Sequence, residues 1–480
     1  MKYFLSVLLC ILLALICVVR VNAAPPAQDQ RHLTIYQIMV ASFIHDPAGA
    51  PGYTSMWGPD GHTKNGNLKG ITASLDHIKS LGANAIWLTP IFDSSKSQIE
   101  EKLKATGYFA NDFFSIDPHF GTEADFRELV AEAHARGMYV FLDGVFGHHG
   151  GVTTPSPSGH YIDCTVTTCD RTDAGTGNVS FPGSLEYFKE VATYWIDKFE
   201  IDGWRLDQAY QAMQGGHNYW LEIRGAVEDL CARRRAAGCQ WGTLGYMVGE
   251  DWGDEQRINI GVYHDGGLLS AFDFAGKERI SGPMQSIAHG GLLNGYDDIA
   301  LTLSAPTARG YLNDKVIPNL FLTNHDGYRL ADHFDPAEGY YFEKLMMRHA
   351  ILAAYSGPIT LYYGDEFGDR SFETDGGQKD NISRTTGHLT TDQPVKQALC
   401  DFVAKVMKIR DENPAMWRGV ASFETLTGSF GDVFAVTKTD TATGNTVLLL
   451  FSDHYDNVAV TALDRQVFIT PYRPEIFVIK

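Results

Sequence analysis

The chain has 480 residues, 44% hydrophobic and 20% charged, a balance that supports a large buried core and excludes long disordered tracts. Its formal charge is −19, from 58 acidic against 39 basic side chains. That excess excludes a nucleic-acid backbone or an anionic membrane as the main partner, because both require clustered Lys and Arg.

In chain order the first element is a leader. Lys2 precedes an apolar run from Tyr3 to Val19, and Val21 and Ala23 fit the −3 and −1 positions of a cleavage site. Residues 1–23 therefore read as a signal peptide. Arg20 and Pro25-Pro26 end the run before it makes a convincing membrane anchor, and Ile16 is too bulky to precede a lipid-anchored Cys17. A secreted or periplasmic protein is expected, free of the membrane after cleavage and monomeric. No later stretch is long and apolar enough to span a bilayer. In an oxidising compartment Cys164–Cys169 and Cys231–Cys239 read as two short-loop disulfides, with Cys400 left over. The alternative is that all are reduced; the spacings are not those of zinc sites.

From residue 33 short β-rich runs alternate with longer amphipathic stretches. The runs are Leu33–Met39, Ala85–Leu88, Met138–Leu142, Gly203–Leu206, Tyr246–Gly249, Leu268–Phe272, Asn319–Leu322 and Ile359–Tyr362. Helices are predicted over Thr122–Arg136, Leu185–Phe199, Tyr219–Arg235, Tyr341–Tyr355 and Val395–Asp411. In the first of these, Thr122 and Asp125 resemble a capping box and Gly137 is a natural stop. Eight alternating units predict an α/β fold, a closed (β/α)8 TIM barrel. An open doubly wound sheet competes, but the Gly-rich turn often found in that fold is missing. His149–Gly183 is a Gly/Ser/Thr/Pro-rich excursion after the third strand. From about Ala421 short alternating strands such as Val433–Lys438, Thr446–Phe451 and Ile476–Lys480 predict an antiparallel β domain, with Pro414 and Gly419 at the joint. The expected domains are a leader (1–23), a catalytic barrel (24–148 and 184–420), an insert (149–183) and a C-terminal β-sandwich-like domain (421–480).

Asp143, Asp207, Glu250, Asp273, Asp326 and Asp365 each follow an apolar run. Taken singly, each is as well explained by a helix cap. Together they place acids at strand end after strand end, on the rim where barrel active sites lie. Carboxylates with histidines and aromatics suit glycoside hydrolysis, which needs one carboxylate as nucleophile or base and one protonated acid. Metal-assisted hydrolysis is the rival, with His148, His149 and His325 as ligands, but no H-E-x-x-H or H-x-H pattern occurs. No G-x-S-x-G elbow supports serine chemistry.

These motifs resemble the α-amylase family of glycoside hydrolases, family 13. Four signatures occur in order: Asp143-Gly-Val-Phe-Gly147-His148, Gly203-Trp204-Arg205-Leu206-Asp207, Gly249-Glu250-Asp251-Trp252 and Asn324-His325-Asp326. Gly107-Tyr108-Phe-Ala-Asn-Asp112 and Tyr363-Gly364-Asp365-Glu366 are also similar to the family. The resemblance implies a barrel with an insert after the third strand and a C-terminal β domain. It implies that Asp207 is the nucleophile, Glu250 the general acid and base, and Asp326 a binder of sugar hydroxyls that favours ring distortion. Arg205 is implied to orient Asp207 and keep it ionised, with Asp143 in support. His148 and His325 are implied to donate hydrogen bonds to the cleaved sugar, and Tyr108 to stack beneath it. Trp252 and Trp57 are candidate stacking platforms, or core residues. Relatives that merely bind sugar typically lack one of the three acids, and all three are present here.

Two positions depart from the family pattern. Gly147 replaces an Asn that often ligates a structural calcium, and Gln208-Ala209-Tyr210-Gln211 replaces a segment ending in a Lys-His pair, whose His carbonyl joins that calcium. Gly147 and Gln211 disfavour calcium, so no cofactor is expected to be required. The expected activity is that of a secreted retaining α-glycosidase acting on starch-type glucans or malto-oligosaccharides through a covalent glycosyl-enzyme. The alternative is a transglycosylase or a sucrose- or disaccharide-acting enzyme of the same chemistry.

Overall fold

The computed structural model describes residues 24–26, 28–56, 65–97, 99–151, 153–163, 177–287, 295–371 and 382–480. The leader, Trp57 and the expected Cys164–Cys169 pair lie outside the described residues. Eight parallel strands form one sheet: Thr34–Ile38 (β1), Ala85–Leu88 (β2), Tyr139–Gly144 (β3), Gly203–Leu206 (β4), Tyr246–Gly249 (β5), Ser270–Ala271 (β6), Leu320–Phe321 (β7) and Ile359–Tyr362 (β8). Their spatial order is β6-β5-β4-β3-β2-β1-β8-β7. A parallel bridge from Phe272 to Asn319 joins the two ends, closing the expected barrel. Both faces of these strands are covered, so the strands read in sequence as continuous apolar runs rather than alternating ones.

Helices wrap the outside: Leu68–Ser80 (α1), Glu123–Ala135 (α2), Leu185–Phe199 (α3), Trp220–Ala236 (α4), Phe274–Ser281 (α5), Tyr296–Leu303 (α6), Tyr341–Ala353 (α7) and Pro394–Glu412 (α8). The α2 capping box is formed: Thr122 Oγ1 accepts from Asp125 N at 3.2 Å, and Asp125 Oδ2 accepts from Thr122 N at 2.9 Å. The helix stops where Gly137 takes a positive φ of 67°. On α3 one stripe of Phe188, Val191, Ala192, Trp195, Ile196 and Phe199 is buried, the i, i+3, i+4 spacing of an amphipathic helix. Trp204 of β4 meets this layer and donates through Nε1 to Ala192 O. Trp204 therefore points outward, and alternation along β4 sends Arg205 into the barrel.

The segment after β3 returns to the rim as an antiparallel pair, His148–His149 against Gly177–Asn178. At the C-terminus, Val420–Thr427 (β9), Asp432–Thr439 (β10), Thr446–Phe451 (β11) and Glu475–Val478 (β14) form an antiparallel sheet, and Val458–Ala462 (β12) pairs with Arg465–Ile469 (β13). The inward faces meet through Val433, Ala435, Leu448 and Leu450 against Val458, Val460 and Ile469. Lys438, fully buried on β10, donates to the carbonyls of Ala354 and Met416, and Arg410 of α8 donates to those of Ala353, Tyr355 and Gly357. These side chains satisfy carbonyls at and just beyond the end of α7, and Lys438 so ties the β domain to the barrel.

Cys231 and Cys239 are free thiols, so the disulfide expected between them does not form. α4 turns Cys231 into the core, in contact with Gly245, and burial pushes its thiol up to about 11. Cys239 lies beyond the helix end, with its N–H donating to Arg234 O at 3.0 Å. A disulfide needs converging Cβ vectors, and these side chains serve different surfaces of the turn. Among the described residues no helix is long and apolar enough to cross a membrane.

Candidate active site

Strand register assembles the site. Asp143 on β3 stands directly beside Arg205 on β4. The N–H of Asp207 donates to Gly144 O, and that of Glu250 to Leu206 O, so the acids stand at successive strand ends. Arg205, 1% exposed, is the hub. Its Nη1 contacts Asp143 Oδ1 at 2.8 Å and Asp207 Oδ1 at 2.9 Å, and its Nη2 contacts Glu250 Oε1 at 2.7 Å. Three carboxylates thus share one planar guanidinium.

Aromatic and polar groups fix the hub from the sides. Trp87 Nε1 and Tyr108 Oη both donate to Asp143 Oδ2, at 3.2 and 2.7 Å. The Arg205 guanidinium lies over both rings, 5.2 and 5.8 Å from their centroids. Gln37 Nε2 lies 2.7 Å from His325 Nδ1, which assigns the ring proton to Nε2. That Nε2 faces Tyr108 Oη at 2.7 Å and Asp326 Oδ2 at 3.2 Å. Asp326 is gripped on its other oxygen by Arg384 at 2.8 Å. Glu250 Oε1 also accepts from Trp252 Nε1 at 2.9 Å, and its Oε2 from the N–H of Gln208 at 3.1 Å.

Burial sets the charge states. Burial pushes Asp207 well above the usual carboxylate range, with the Glu250, Asp143 and Asp326 charges adding to it and Arg205 opposing. Asp143 is pushed up to about 6, again by burial against the pull of Arg205. One cation thus faces several acids, and Asp207 and Asp143 both hold a proton more tightly than isolated carboxylates do. Burial drives His148 down to about 4 and His325 well below its ordinary value, so both rings are neutral.

A cavity of about 420 Å³ opens above the hub, lined among others by Tyr108, His148, Asp207, Glu250, Trp252 and Asp326. The structure brings together Asp207, Glu250, Asp326, Arg205, His148, His325, Tyr108, Asp143 and Trp252; Trp57, the other candidate platform, lies outside the described residues. Two rim acids stay apart. Asp273 caps α5 at Gly276 N and is neutralised by Arg309, while Asp365 pairs with Arg329 at 3.1 Å. Four contributors escaped sequence reasoning: Trp87, Gln37, Arg384 and Gln208. Trp87 and Gln37 sit inside apolar runs where nothing but strand alternation marks an inward position. Arg384 and the Gln208 N–H belong to irregular backbone without a pattern to read.

The calcium position suggested by the family resemblance does not fit these residues. A Cβ placed at Gly147 would lie 1.8 Å from Gln211 Oε1. The amide of Gln211 occupies the space a ligating side chain at 147 needs.

Residues 37–156 and 180–417 match the model of the alpha-amylase catalytic domain. An intracellular maltogenic amylase of Bacillus subtilis (strain 168) is 30% identical over 376 residues, covering 74% of this chain and 56% of the relative. A cyclomaltodextrinase of a Bacillus species is 28% identical over 436 residues, covering 84% of this chain and 69% of the relative. The chain spans about half the length of several of these curated relatives. Among solved structures, AmyP in complex with maltose is 32% identical with a TM-score of 0.78, covering 94% of this chain and 97% of that one.

Removing the hub cation leaves three buried carboxylates facing one another. Arg205→Met is expected to lower the unfolding free energy by about 3–5 kcal/mol in denaturant titration. A loss below about 1 kcal/mol would show that the acids do not depend on Arg205.

Proposed function

Since the chain belongs to the alpha-amylase family of glycoside hydrolases, we propose that it is a retaining α-glycosidase cleaving α-glucosidic bonds of malto-oligosaccharides or starch-type glucans. The observation that carries this reading is the convergence of Asp207 and Glu250 on the two ends of one guanidinium, at 2.9 and 2.7 Å, beneath a cavity. Adjacent corners of one planar fork suit the ~5 Å carboxyl spacing of a retaining pair better than the wider gap an inverting pair leaves for water. The relatives named for maltose-forming and cyclodextrin-opening activities, and AmyP with bound maltose, support an α-linked glucose oligomer as the substrate.

In this reading Asp207 Oδ2, which accepts no hydrogen bond among the described residues, attacks the anomeric carbon as the bond to the leaving oxygen breaks. Glu250, as general acid, gives a proton to that oxygen. A β-linked glycosyl-Asp207 results. Water then attacks the same carbon, Glu250 takes its proton, and Asp207 leaves as carboxylate. Arg205 holds both carboxyls in place through both steps. Neutral His148 and His325 line the cavity without adding charge, and Asp326, fixed by Arg384, accepts from sugar hydroxyls. The apolar faces of Tyr108 and Trp252 line the cavity around the ring. No step is routed through a metal.

A 5-fluoro-α-glycosyl fluoride, which slows breakdown of the covalent intermediate, is expected to leave a sugar on the peptide carrying Asp207. Glu250→Gln is expected to cut maltotriose hydrolysis by about 10²–10⁴-fold. Label on another peptide, or a Gln variant of full activity, overturns the assignment. Because Gln211 fills the calcium position, excess chelator is expected to leave the melting temperature and activity unchanged; a marked loss of either sinks metal independence. Export follows from the leader pattern, and N-terminal sequencing of released protein is expected to begin at Ala24. A mature chain retaining Lys2 would refute cleavage.

A further inference from the structure

Gln208, the residue after Asp207, adopts φ 41° and ψ 53°, a left-handed conformation that side chains other than glycine rarely enter. This conformation turns the backbone so that the Gln208 N–H meets Glu250 Oε2 at 3.1 Å and the Ala209 N–H meets the Glu250 carbonyl at 2.7 Å. The strain has a visible restraint. Gln208 Oε1 accepts from Tyr210 Oη at 2.7 Å and from Gln211 Nε2 at 3.2 Å. Both donors are anchored further out. The Tyr210 ring lies 5.4 Å under the Arg257 guanidinium, which is bound to Asp251 at 2.6 Å. The Gln211 carbonyl accepts from Gln214 Nε2 at 2.9 Å. Gln214 reaches the inserted segment, donating to Val179 O at 3.0 Å and accepting from Phe181 N at 2.9 Å. A continuous run of hydrogen bonds thus links the insert, Gln214, Gln211 and Gln208 to the carboxyl of Glu250.

We propose that Gln208 is a positioning residue for Glu250, held in its left-handed conformation by Tyr210 and Gln211, and that the Gln208–Gln211–Gln214 ladder fastens this acid to the insert. The proposal rests on Glu250 being the general acid. Of the donors to the Glu250 carboxyl among the described residues, Arg205 and Trp252 both address Oε1. The Gln208 N–H is the one that addresses Oε2, and so sets the rotation of the carboxyl plane. In the glycosylation step, which kcat/KM reports, rotation matters only when the leaving group needs a proton. A sugar oxygen does; fluoride, a weak base, leaves without one.

The test compares maltotriose with α-maltosyl fluoride in Gln208→Ala and Gln208→Gly. Alanine removes the restraint from a conformation it disfavours, whereas glycine enters that conformation unaided. Gln208→Ala is expected to lower kcat/KM for maltotriose by about 10-fold or more and that for the fluoride by less than about 3-fold. Gln208→Gly is expected to recover most of the maltotriose loss, with both variants retaining the parent circular dichroism. Equal losses on the two substrates would indicate a general disturbance and overturn the proposal, as would an alanine variant of full activity or a glycine variant no better than alanine. If the parent protein cleaves neither substrate, the α-glycosidase reading itself fails, an outcome distinct from these.

Discussion

A buried guanidinium shared by three carboxylates is the interaction on which this structure depends. A lone carboxylate in a barrel core costs several kcal/mol, and three together would repel one another as well. Arg205 makes the cluster tolerable, but it carries one charge against three. The mismatch leaves the cluster short of positive charge, and Asp207 and Asp143 hold a proton more tightly than isolated acids do.

The same device recurs around the rim with fewer members. Asp273 is matched by Arg309, Asp326 by Arg384 and Asp365 by Arg329. What separates the acids proposed to be catalytic from the structural ones is not whether a cation is present but what else satisfies the oxygens. Asp273 is saturated by Arg309, Tyr311, Tyr355 and the first turn of α5, and no oxygen is left to face a substrate. Among the described residues Asp207 Oδ2 accepts no hydrogen bond, and Asp326 turns one oxygen to Arg384 and the other toward neutral His325 in the cavity wall. Incomplete satisfaction sets the acids proposed to be catalytic apart.

The inserted segment bears on the site through amides. Gln211 fills the volume beside Gly147, and its neighbours at i−3 and i+3 extend the contact from the insert to the acid. An amide supplies both a donor and an acceptor, so a row of glutamines transmits position in a fixed direction. A cation would gather oxygens without such direction.

Much of the fold was legible because it is written in local patterns. Eight apolar runs with amphipathic stretches between them determined a barrel, the Thr122/Asp125 cap and Gly137 bounded a helix, and four short motifs located Asp143, Arg205, Asp207, Glu250, His325 and Asp326. Helix α1 was not read, since its start rests on an Asn67 cap buried under distant backbone rather than on an exposed signature. The Cys231–Cys239 pairing was misread because spacing along a chain does not reveal which side of a helix a thiol takes. By itself the sequence determined the residue types at each strand end and their order, which follow from period-2 and period-3.6 repetition. Only the tertiary structure decided which acids share Arg205, that Trp87, Gln37 and Arg384 hold them, and that Gln208 is bent toward Glu250. Those outcomes depend on strand register and on contacts between residues far apart in the chain, and no local pattern records either.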